Sequence, residues 1–261
     1  MKHIVMFSGG IGSWAAAKRV AEQHGTDDLT LLFTDTLIED EDLYRFLGEA
    51  AANVGAPLIQ ITEGRDPWQV FLDERFLGST HGDPCSRILK RQMSEQWLIT
   101  NCNPVDTVVY TGIDWSEEHR HRRLSQRRGE KGWRYEAPMC GPPYLTKPDM
   151  IAALKREGIT PPRLYAMGFA HNNCGGFCIK AGLGHFANLL RTMPDRYAYH
   201  EAKEAELRQA VGWRNTILRD RIGGETKRLS LKQLREQIEA GGQVDLFDIA
   251  GCGCFSEEGA P

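Results

Sequence analysis

The sequence predicts an α/β protein built on a doubly wound parallel sheet. Two observations carry that prediction. Short apolar runs alternate with helix-like stretches over the first 112 residues, and the first run ends at a glycine turn that opens a helix. Residues 3–7 (HIVMF) form the first strand-like run, and residues 13–24 follow with helical character. Residues 29–35 (LTLLFTD) are continuously apolar up to their last positions, as expected of a strand covered on both faces. Residues 39–54 read as an amphipathic helix with Leu43, Phe46, Leu47 and Ala50 on one face. Residues 57–62 (PLIQIT) and 107–112 (TVVYTG) supply a third and a fourth strand, with helical stretches at 67–76 and 86–99 between them. In this architecture ligands sit outside the carboxyl ends of the strands.

Beyond Gly112 the pattern changes. A basic segment leads into a Pro/Gly-rich passage at 137–143, followed by helices over 147–158, 201–211 and 230–240, the last ended by Gly241-Gly242. Residues 251–261 form a small, polar tail. The 261 residues are 41% hydrophobic and 26% charged, an ordinary globular composition. No apolar run approaches the roughly 20 residues that span a bilayer, and no signal peptide precedes the first strand. A cytoplasmic protein with no membrane partner is the expectation. The net charge of −3 gives no bulk reason for a polyanion partner, but residues 119–134 hold seven Lys/Arg, two His and a single acid. Three readings of that run stand side by side: triphosphate binding, a solvated basic face, or a contact for nucleic acid with Trp133 and Tyr135 as stacking platforms.

The glycine turn also admits two readings. Gly10-x-Gly12-x-x-Ala15 satisfies a dinucleotide pattern, with Asp35 as the ribose-binding acid at the end of the second strand. Ser8-Gly9-Gly10, with Ser13 opening the helix, instead turns hydroxyls and amides toward a compact anion such as pyrophosphate. A loop of the G-x-x-x-x-G-K-[ST] type does not occur. Lys90 and Arg87, three residues apart on a helical stretch, are candidate neutralisers of phosphate charge. Among the seven cysteines, Cys174 and Cys178 are spaced to bring two sulfurs to one side of a turn, and Gly175-Gly176 permits close backbone approach. Cytosolic thiols stay reduced, so clustered cysteines point to metal binding or thiol chemistry. Two buried thiols acting as small hydrophobes are the competing reading. Cys102 is read as structural.

Five segments in order resemble the phosphoadenosine phosphosulfate (PAPS) reductase-like branch of the PP-loop ATP pyrophosphatases. Ser8-Gly9-Gly10-Ile11-Gly12-Ser13 is similar to the SGGxDS loop, and Phe33-Thr34-Asp35-Thr36 to the strand-end Asp-Thr. Pro84-Cys85-Ser86-Arg87-Ile88-Leu89-Lys90 resembles the C-x-x-x-L-K segment, and the stretch from Gly112 to Arg120 resembles G-x-R-x-x-E-S-x-x-R. The passage from Gly158 to Phe169, followed by Cys174, resembles G-I-P-x-x-P-L-Y-x-x-G-F-x-x-x-x-C. Two departures stand out. Gly12 replaces the usual loop aspartate, and Asp114 stands where arginine is common, which moves phosphate contacts toward Arg120, Arg122 or Arg123.

The resemblance implies a five-stranded sheet in a nucleotide-binding domain over residues 1–170, with a mainly helical, cysteine-bearing extension over 171–261. It implies ATP with Mg²⁺ as substrate, cleaved between the α and β phosphates to adenylate an acceptor for sulfur transfer. Ser8, Gly9, Gly10, Gly12, Ser13, Asp35, Thr36, Gly112 and Arg120 would bind the nucleotide. Cys85, Cys140, Cys174 and Cys178 would hold a [4Fe–4S] cluster, or zinc in its place. Lys90 and the tail thiols Cys252 and Cys254 would be catalytic, and a cysteine desulfurase or thioredoxin-like protein would donate sulfur. The acceptor could be a nucleic acid or a small metabolite, and self-association stays open. Two rival readings remain: a thiol-dependent reductase releasing sulfite from PAPS or adenosine phosphosulfate, and a non-catalytic nucleotide- or nucleic-acid-binding module.

Overall fold

In the computed structural model, residues 1–78, 82–212, 214–222, 225–242, 244, 245 and 248 are described. The central strands are β1 (Lys2–Met6), β2 (Leu29–Asp35), β3 (Leu58–Thr62), β4 (Thr107–Tyr110) and β5 (Arg134–Glu136). They form one all-parallel sheet in the order β3-β2-β1-β4-β5. At the centre of the register, Ile4 lies between Thr30 of β2 and Val109 of β4.

Strand alternation assigns the two faces. Val5, Phe7, Leu31 and Phe33 pack with residues of α1 (Ile11–His24), α2 (Glu41–Val54) and α6 (Lys147–Arg156). Ile4, Met6, Leu32 and Val109 pack on the other face with Leu98 of α4 (Met93–Asn101) and Leu124 of α5 (Glu118–Gly129). The continuous apolar character of residues 29–35 follows from this double coverage. Because β2 and β3 lie on one side of β1 and β4 and β5 on the other, the connections diverge at the β1/β4 boundary. A crevice opens there at the carboxyl ends.

The remaining elements are α3 (Pro67–Asp73), a π-helical stretch over Ser86–Gln92 that runs into α4, α7 (Arg163–Ala166), α8 (Leu183–Thr192), α9 (Pro194–Val211), an antiparallel hairpin of β6 (Leu218–Ile222) and β7 (Glu225–Leu229), and α10 (Leu231–Glu239). The fifth strand begins at Arg134, the last residue of the segment read from the sequence as a basic run. The C-terminal part carries the hairpin in addition to its helices. Its apolar cluster draws Ile38, Trp68, Phe71, Leu164 and Phe169 together with Phe177, Phe186, Tyr197 and Leu207. Among the described residues, no helix is long and apolar enough to cross a membrane.

Buried polar groups tie this part together. The Trp68 indole N–H donates to Nδ1 of His200 at 3.1 Å, and the Tyr197 hydroxyl donates to the Leu231 carbonyl at 2.7 Å. The Glu204 carboxylate, 1% exposed, accepts from the backbone N–H groups of Ile217 at 2.8 Å and Leu231 at 2.6 Å. Replacing it leaves two inward-facing N–H groups unpaired, each costing roughly 1–3 kcal/mol. Glu204→Ala should therefore lower the free energy of urea unfolding by about 2–4 kcal/mol; a change within about 0.5 kcal/mol, the range of surface substitutions, would contradict this role.

Candidate functional site

The turn between β1 and α1 is fixed by close backbone contacts. Gly9 adopts φ +74° and faces Leu43 of α2, where a Cβ would come within 2.9 Å of its Cγ. A Cβ on Gly12 would stand 2.7 Å from the Gly112 carbonyl oxygen, and one on Gly112 would stand 2.6 Å from the Ser13 nitrogen. Helix α1 and the segment after β4 thus meet backbone to backbone across the crevice. The Ser13 hydroxyl donates to the Gly10 carbonyl at 2.7 Å and closes the first turn of α1. The Ile11 N–H donates to the Tyr165 hydroxyl at 3.1 Å, and the Asn172 amide donates to the Gly9 carbonyl at 2.9 Å.

Tyr165 is positioned by α7. Arg163, at the start of that helix, makes two 2.8 Å bonds to Asp40, which is fully buried and caps α2 through the Asp42 N–H. The backbone N–H of Arg163 adds a 2.7 Å bond to Asp42. The passage resembling G-I-P-x-x-P-L-Y is therefore a brace that carries a tyrosine to the glycine turn.

These elements enclose an open cleft. Ser8, Gly10, Gly12 and Ser13 line one side, Thr111 to Asp114 with Glu117 and Arg120 the other, and Lys147, Tyr165 and residues 171–173 the third. Lys147 donates to the Ala170 carbonyl at 2.6 Å with its ammonium 5.9 Å from the Tyr165 ring centre. Arg120 pairs with Glu117, and Asp114 accepts from the N–H and hydroxyl of Ser116 at 2.9 and 2.6 Å. Burial, then the Lys147 charge, pushes the His171 imidazole down to about 4, so it is neutral at pH 7. Two buried oxygens in the lining, Thr111 Oγ1 and Asn172 Oδ1, have no partner among the described residues. The unpaired Thr111 hydroxyl, helix-end amides and two cations suit an anionic group, and the unpaired Asn172 Oδ1 suits a donor on the same ligand.

A second pocket lies where residues 172–174 leave the cleft. Cys85, Cys174 and Cys178 line it with Thr36, Lys90, Phe177 and Ile179. The Lys90 ammonium is 3.6 Å from Cys174 Sγ and 3.8 Å from the Glu39 carboxylate, and both charged groups are buried. Glu39 also accepts from the Thr36 hydroxyl at 2.9 Å and from the Cys174 N–H. Burial opposes the Lys90 charge, but Cys174 and Glu39 outweigh it and raise its pKa. Burial drives the Cys174 thiol up to about 12, against the pull of Lys90. Cys174, Gly175 and Gly176 have successive positive φ values of 52°, 58° and 81°. The two glycines make room for protein: a Cβ on Gly175 would strike Arg196 and the Ile38 carbonyl, and one on Gly176 would press on Phe169.

Several residues singled out from the sequence lie elsewhere. Asp35 is buried and turns its oxygens to the Leu37 N–H, the Tyr44 hydroxyl and the Gln60 amide at 2.8–3.0 Å, and it does not line the cleft. Thr36 faces the thiol pocket. Lys90 and Arg87 do not share a face, because the π-helical turn sends Lys90 inward and Arg87 outward to Glu74. Cys140 is apart from the other three cysteines, in the apolar cluster under β4 and β5, with its thiol donating to the Ile113 carbonyl at 3.5 Å. Trp133 and Tyr135 are 6% and 7% exposed and cannot serve as stacking platforms. The exposed rings beside the cleft are Trp115 and Tyr144, edge to face at 6.1 Å. Much of the basic run is paired, with Arg128 and Lys131 on Glu95, Arg122 on Glu118 and Arg134 on Glu136. Cys252 and Cys254 lie outside the described residues.

The expected cluster therefore does not fit the four cysteines named for it. Three thiols share a pocket, the fourth does not, and among the described residues no group of three His, Cys, Asp or Glu has the arrangement of a metal site. Lys147, Tyr165 and Thr111 went unnoticed in the sequence reading. Only the tyrosine carried a signal, as part of the Leu-Tyr of the resembling passage.

No family model and no curated protein matches this chain. Among solved structures it is similar to a phosphoadenylyl-sulfate (PAPS) reductase from Candida auris in a phosphate complex, at 15% identity and a TM-score of 0.47, over 65% of this chain and 79% of that one. It is similar to a predicted subunit of tRNA methyltransferase from Methanocaldococcus jannaschii, at 15% identity and a TM-score of 0.37, over 62% and 90% of the two chains. It is also similar to an NH3-dependent NAD synthetase from Campylobacter jejuni in complex with nitrate, at 15% identity and a TM-score of 0.40, over 80% and 83%. At this level of likeness no substrate or residue role transfers.

Two predictions follow from the cleft. Gly12→Ala forces backbone away from backbone and should destabilise by about 1–3 kcal/mol. Gly112→Ala should do the same, and the double variant should cost less than the sum because one contact is lost twice; additive effects in urea unfolding would contradict a shared contact. The His171 pKa lies below 6.5 in the folded state, so between about pH 6.5 and 4 the unfolded chain binds a proton that the native one refuses, and stability falls as pH falls. His171→Gln should remove on the order of 2 kcal/mol of that loss between pH 7 and 5; an unchanged pH profile would mean the imidazole is not held neutral.

Proposed function

We propose that this protein is a PP-loop ATP pyrophosphatase of the PAPS reductase-like type, which activates an acceptor by adenylation for sulfur transfer. The observation that carries the proposal is the segment 172–174. Asn172 holds the Gly9 carbonyl of the phosphate-type loop, and two residues later Cys174 sits against Lys90 in the thiol pocket. An anion site and a group of thiols are thereby joined by one short stretch of chain, as a reaction coupling nucleotide cleavage to sulfur delivery requires.

In this reading the first turn of α1 presents its helix-end amides to the β and γ phosphates. Lys147 and Arg120 face the same charge from the opposite walls. The Thr111 hydroxyl, unpaired in the protein alone, can donate to a phosphate oxygen, whereas Asn172 Oδ1 only accepts and suits a hydroxyl or amine of the nucleoside. Mg²⁺ arriving with ATP offsets part of the triphosphate charge, and Asp114 and Glu117 are the carboxylates on the cleft wall that would hold it. An acceptor oxygen attacks the α phosphorus, the α–β bridging bond breaks, and pyrophosphate leaves. The acceptor oxygen then carries AMP, a far better leaving group, and sulfur displaces it. Neutral His171 lines the same cleft and can hydrogen-bond a ligand without adding charge. The chain contributes positioning and charge stabilisation rather than covalent chemistry at phosphorus. Trp115 and Tyr144 beside the cleft offer exposed rings for a planar acceptor such as a nucleic-acid base.

Purified protein with ATP, Mg²⁺ and excess acceptor RNA or thiol should release pyrophosphate and AMP. Lys147→Ala should raise the KM for ATP about tenfold, the scale of one lost charge-assisted contact of about 1.4 kcal/mol, with a smaller effect on kcat. Release of ADP and phosphate, or sulfite from PAPS with no pyrophosphate from ATP, would defeat the proposal.

A further inference from the structure

Helix α5 carries a basic face that the cleft does not use. Its inward side is set by Leu124, buried against the sheet, and by Arg120 and Arg128, which turn to Glu117 and Glu95. His119, Arg122, Arg123 and Gln126 are exposed on the other side, at the three- and four-residue spacings of one helical stripe. Arg127 and Lys131 carry the stripe past the end of the helix, at a recess that Arg91 and Arg128 also line. The ion pairs along it are weak holds. Arg122 and Glu118 stand 3.8 Å apart with both side chains more than half exposed, and Lys131 reaches Glu95 from a side chain that is itself 58% exposed. Exposed pairs contribute about 0–1 kcal/mol, so a phosphate can displace the carboxylate. Glu95, Glu117, Glu118 and Glu136 pair with the run and still leave it net positive, on a chain whose net charge is −3. A polyanion is therefore drawn to this face.

One end of the stripe meets two exposed rings. Trp115 opens the short helical turn that leads into α5 and is 44% exposed, and Tyr144, edge to face with it, is 61% exposed. Neither ring is loose. The Trp115 indole N–H donates to the Leu145 carbonyl at 3.1 Å, and Arg19 of α1 donates to the carbonyls of Pro138, Gly141 and Pro143 on the way to Tyr144. Asp114, next to Trp115, lines the cleft. Cleft, rings, stripe and recess thus follow one another along a helix of 12 residues, about 18 Å.

We propose that this face binds single-stranded nucleic acid, with backbone phosphates on Arg122, Arg123 and Arg127 and a base against Trp115 and Tyr144 at the mouth of the cleft. Rings that stack bases beside cations that track a backbone are the pattern single strands require. A duplex hides its base faces and engages the cations alone, and an acidic polypeptide leaves the rings without a planar partner. The inference rests on the proposed function only in making the base at the rings the acceptor; binding itself needs no ATP.

Fluorescence anisotropy with labelled single-stranded RNA and DNA of about 12 nucleotides, in the absence of ATP, tests it. The unaltered chain should bind, more weakly as salt rises. Binding of either polymer suffices, and the tighter of the two is the natural source. Arg122→Ala/Arg123→Ala/Arg127→Ala should reduce the slope of log Kd against log salt by about 2, since each lost phosphate contact removes about 0.7. Trp115→Ala should weaken binding about tenfold at an unchanged slope. No binding at low salt, equal affinity for the duplex of the same sequence, an unchanged slope in the triple variant, or equal competition by polyglutamate would overturn the proposal. A second measurement uses the unaltered chain and so does not depend on how a variant folds. RNA carrying 4-thiouridine is photo-crosslinked and the peptides are mapped by mass spectrometry. Crosslinks at Trp115 or Tyr144 and along α5 are expected, and crosslinks confined to other parts of the chain would contradict the assignment. Neither readout involves pyrophosphate release, so the two proposals can fail separately.

Discussion

The contact between Gly12 and Gly112 is the constraint on which the candidate site depends. Two backbone segments on either side of the sheet's branching point touch with no side chain between them, at distances that exclude even a methyl group. Close packing of this kind is stiff, because neither partner has a rotamer that can yield. It brings the amide-bearing end of α1 against the segment that carries Thr111, Asp114 and, beyond it, Arg120. A side chain at position 12 has no room here, so a carboxylate could not be seated there without moving one of the two walls. Negative charge in the cleft comes instead from Asp114 and Glu117 on the opposite wall.

Around this contact the structure adds supports from distant parts of the chain. Leu43 closes on Gly9 from α2, Tyr165 meets the Ile11 N–H from α7, and Asn172 meets the Gly9 carbonyl. Asp40 links two of these, since it caps α2 and anchors Arg163 at the head of α7. The same residues lead outward to the thiol pocket. Glu39 precedes Asp40 and takes the Cys174 N–H, and Asn172 precedes Cys174 by two positions. A shift of the glycine turn on binding an anion would be felt at Asn172 and so at the backbone that holds Cys174 in its positive-φ conformation.

The sheet was legible where burial makes sequence speak plainly. Residues 29–35 are apolar because helices cover both faces, and β1 and β4 read as strands for the same reason. β5 did not, because Arg134-Tyr135-Glu136 is a three-residue edge strand with charged ends, and edge strands carry charge. The hairpin over Leu218–Ile222 and Glu225–Leu229 alternates charge in a way that resembles a polar loop. In the site, Ser8 to Ser13 and Gly112 were readable because glycine-rich turns are local. Lys147 and Thr111 were not, since nothing in their neighbourhoods distinguishes them until the topology gathers them. Lys90 was noticed for its charge and its spacing from Arg87, and the π-helical turn puts the two on different sides. Asp35 drew attention by its place at a strand end, and its hydrogen bonds are all spent within the protein.

The central claim is that a nucleotide's polyphosphate lies between the first turn of α1 and the segment after β4. Backbone amide chemical shifts recorded while a non-hydrolysable ATP analogue and Mg²⁺ are added test it without requiring turnover. The account predicts the largest saturable shifts at residues 8–13, at 111–114 and at Lys147, with little change along the outer face of α5. Shifts confined to α5 or to the C-terminal hairpin, or none at millimolar analogue, would contradict it.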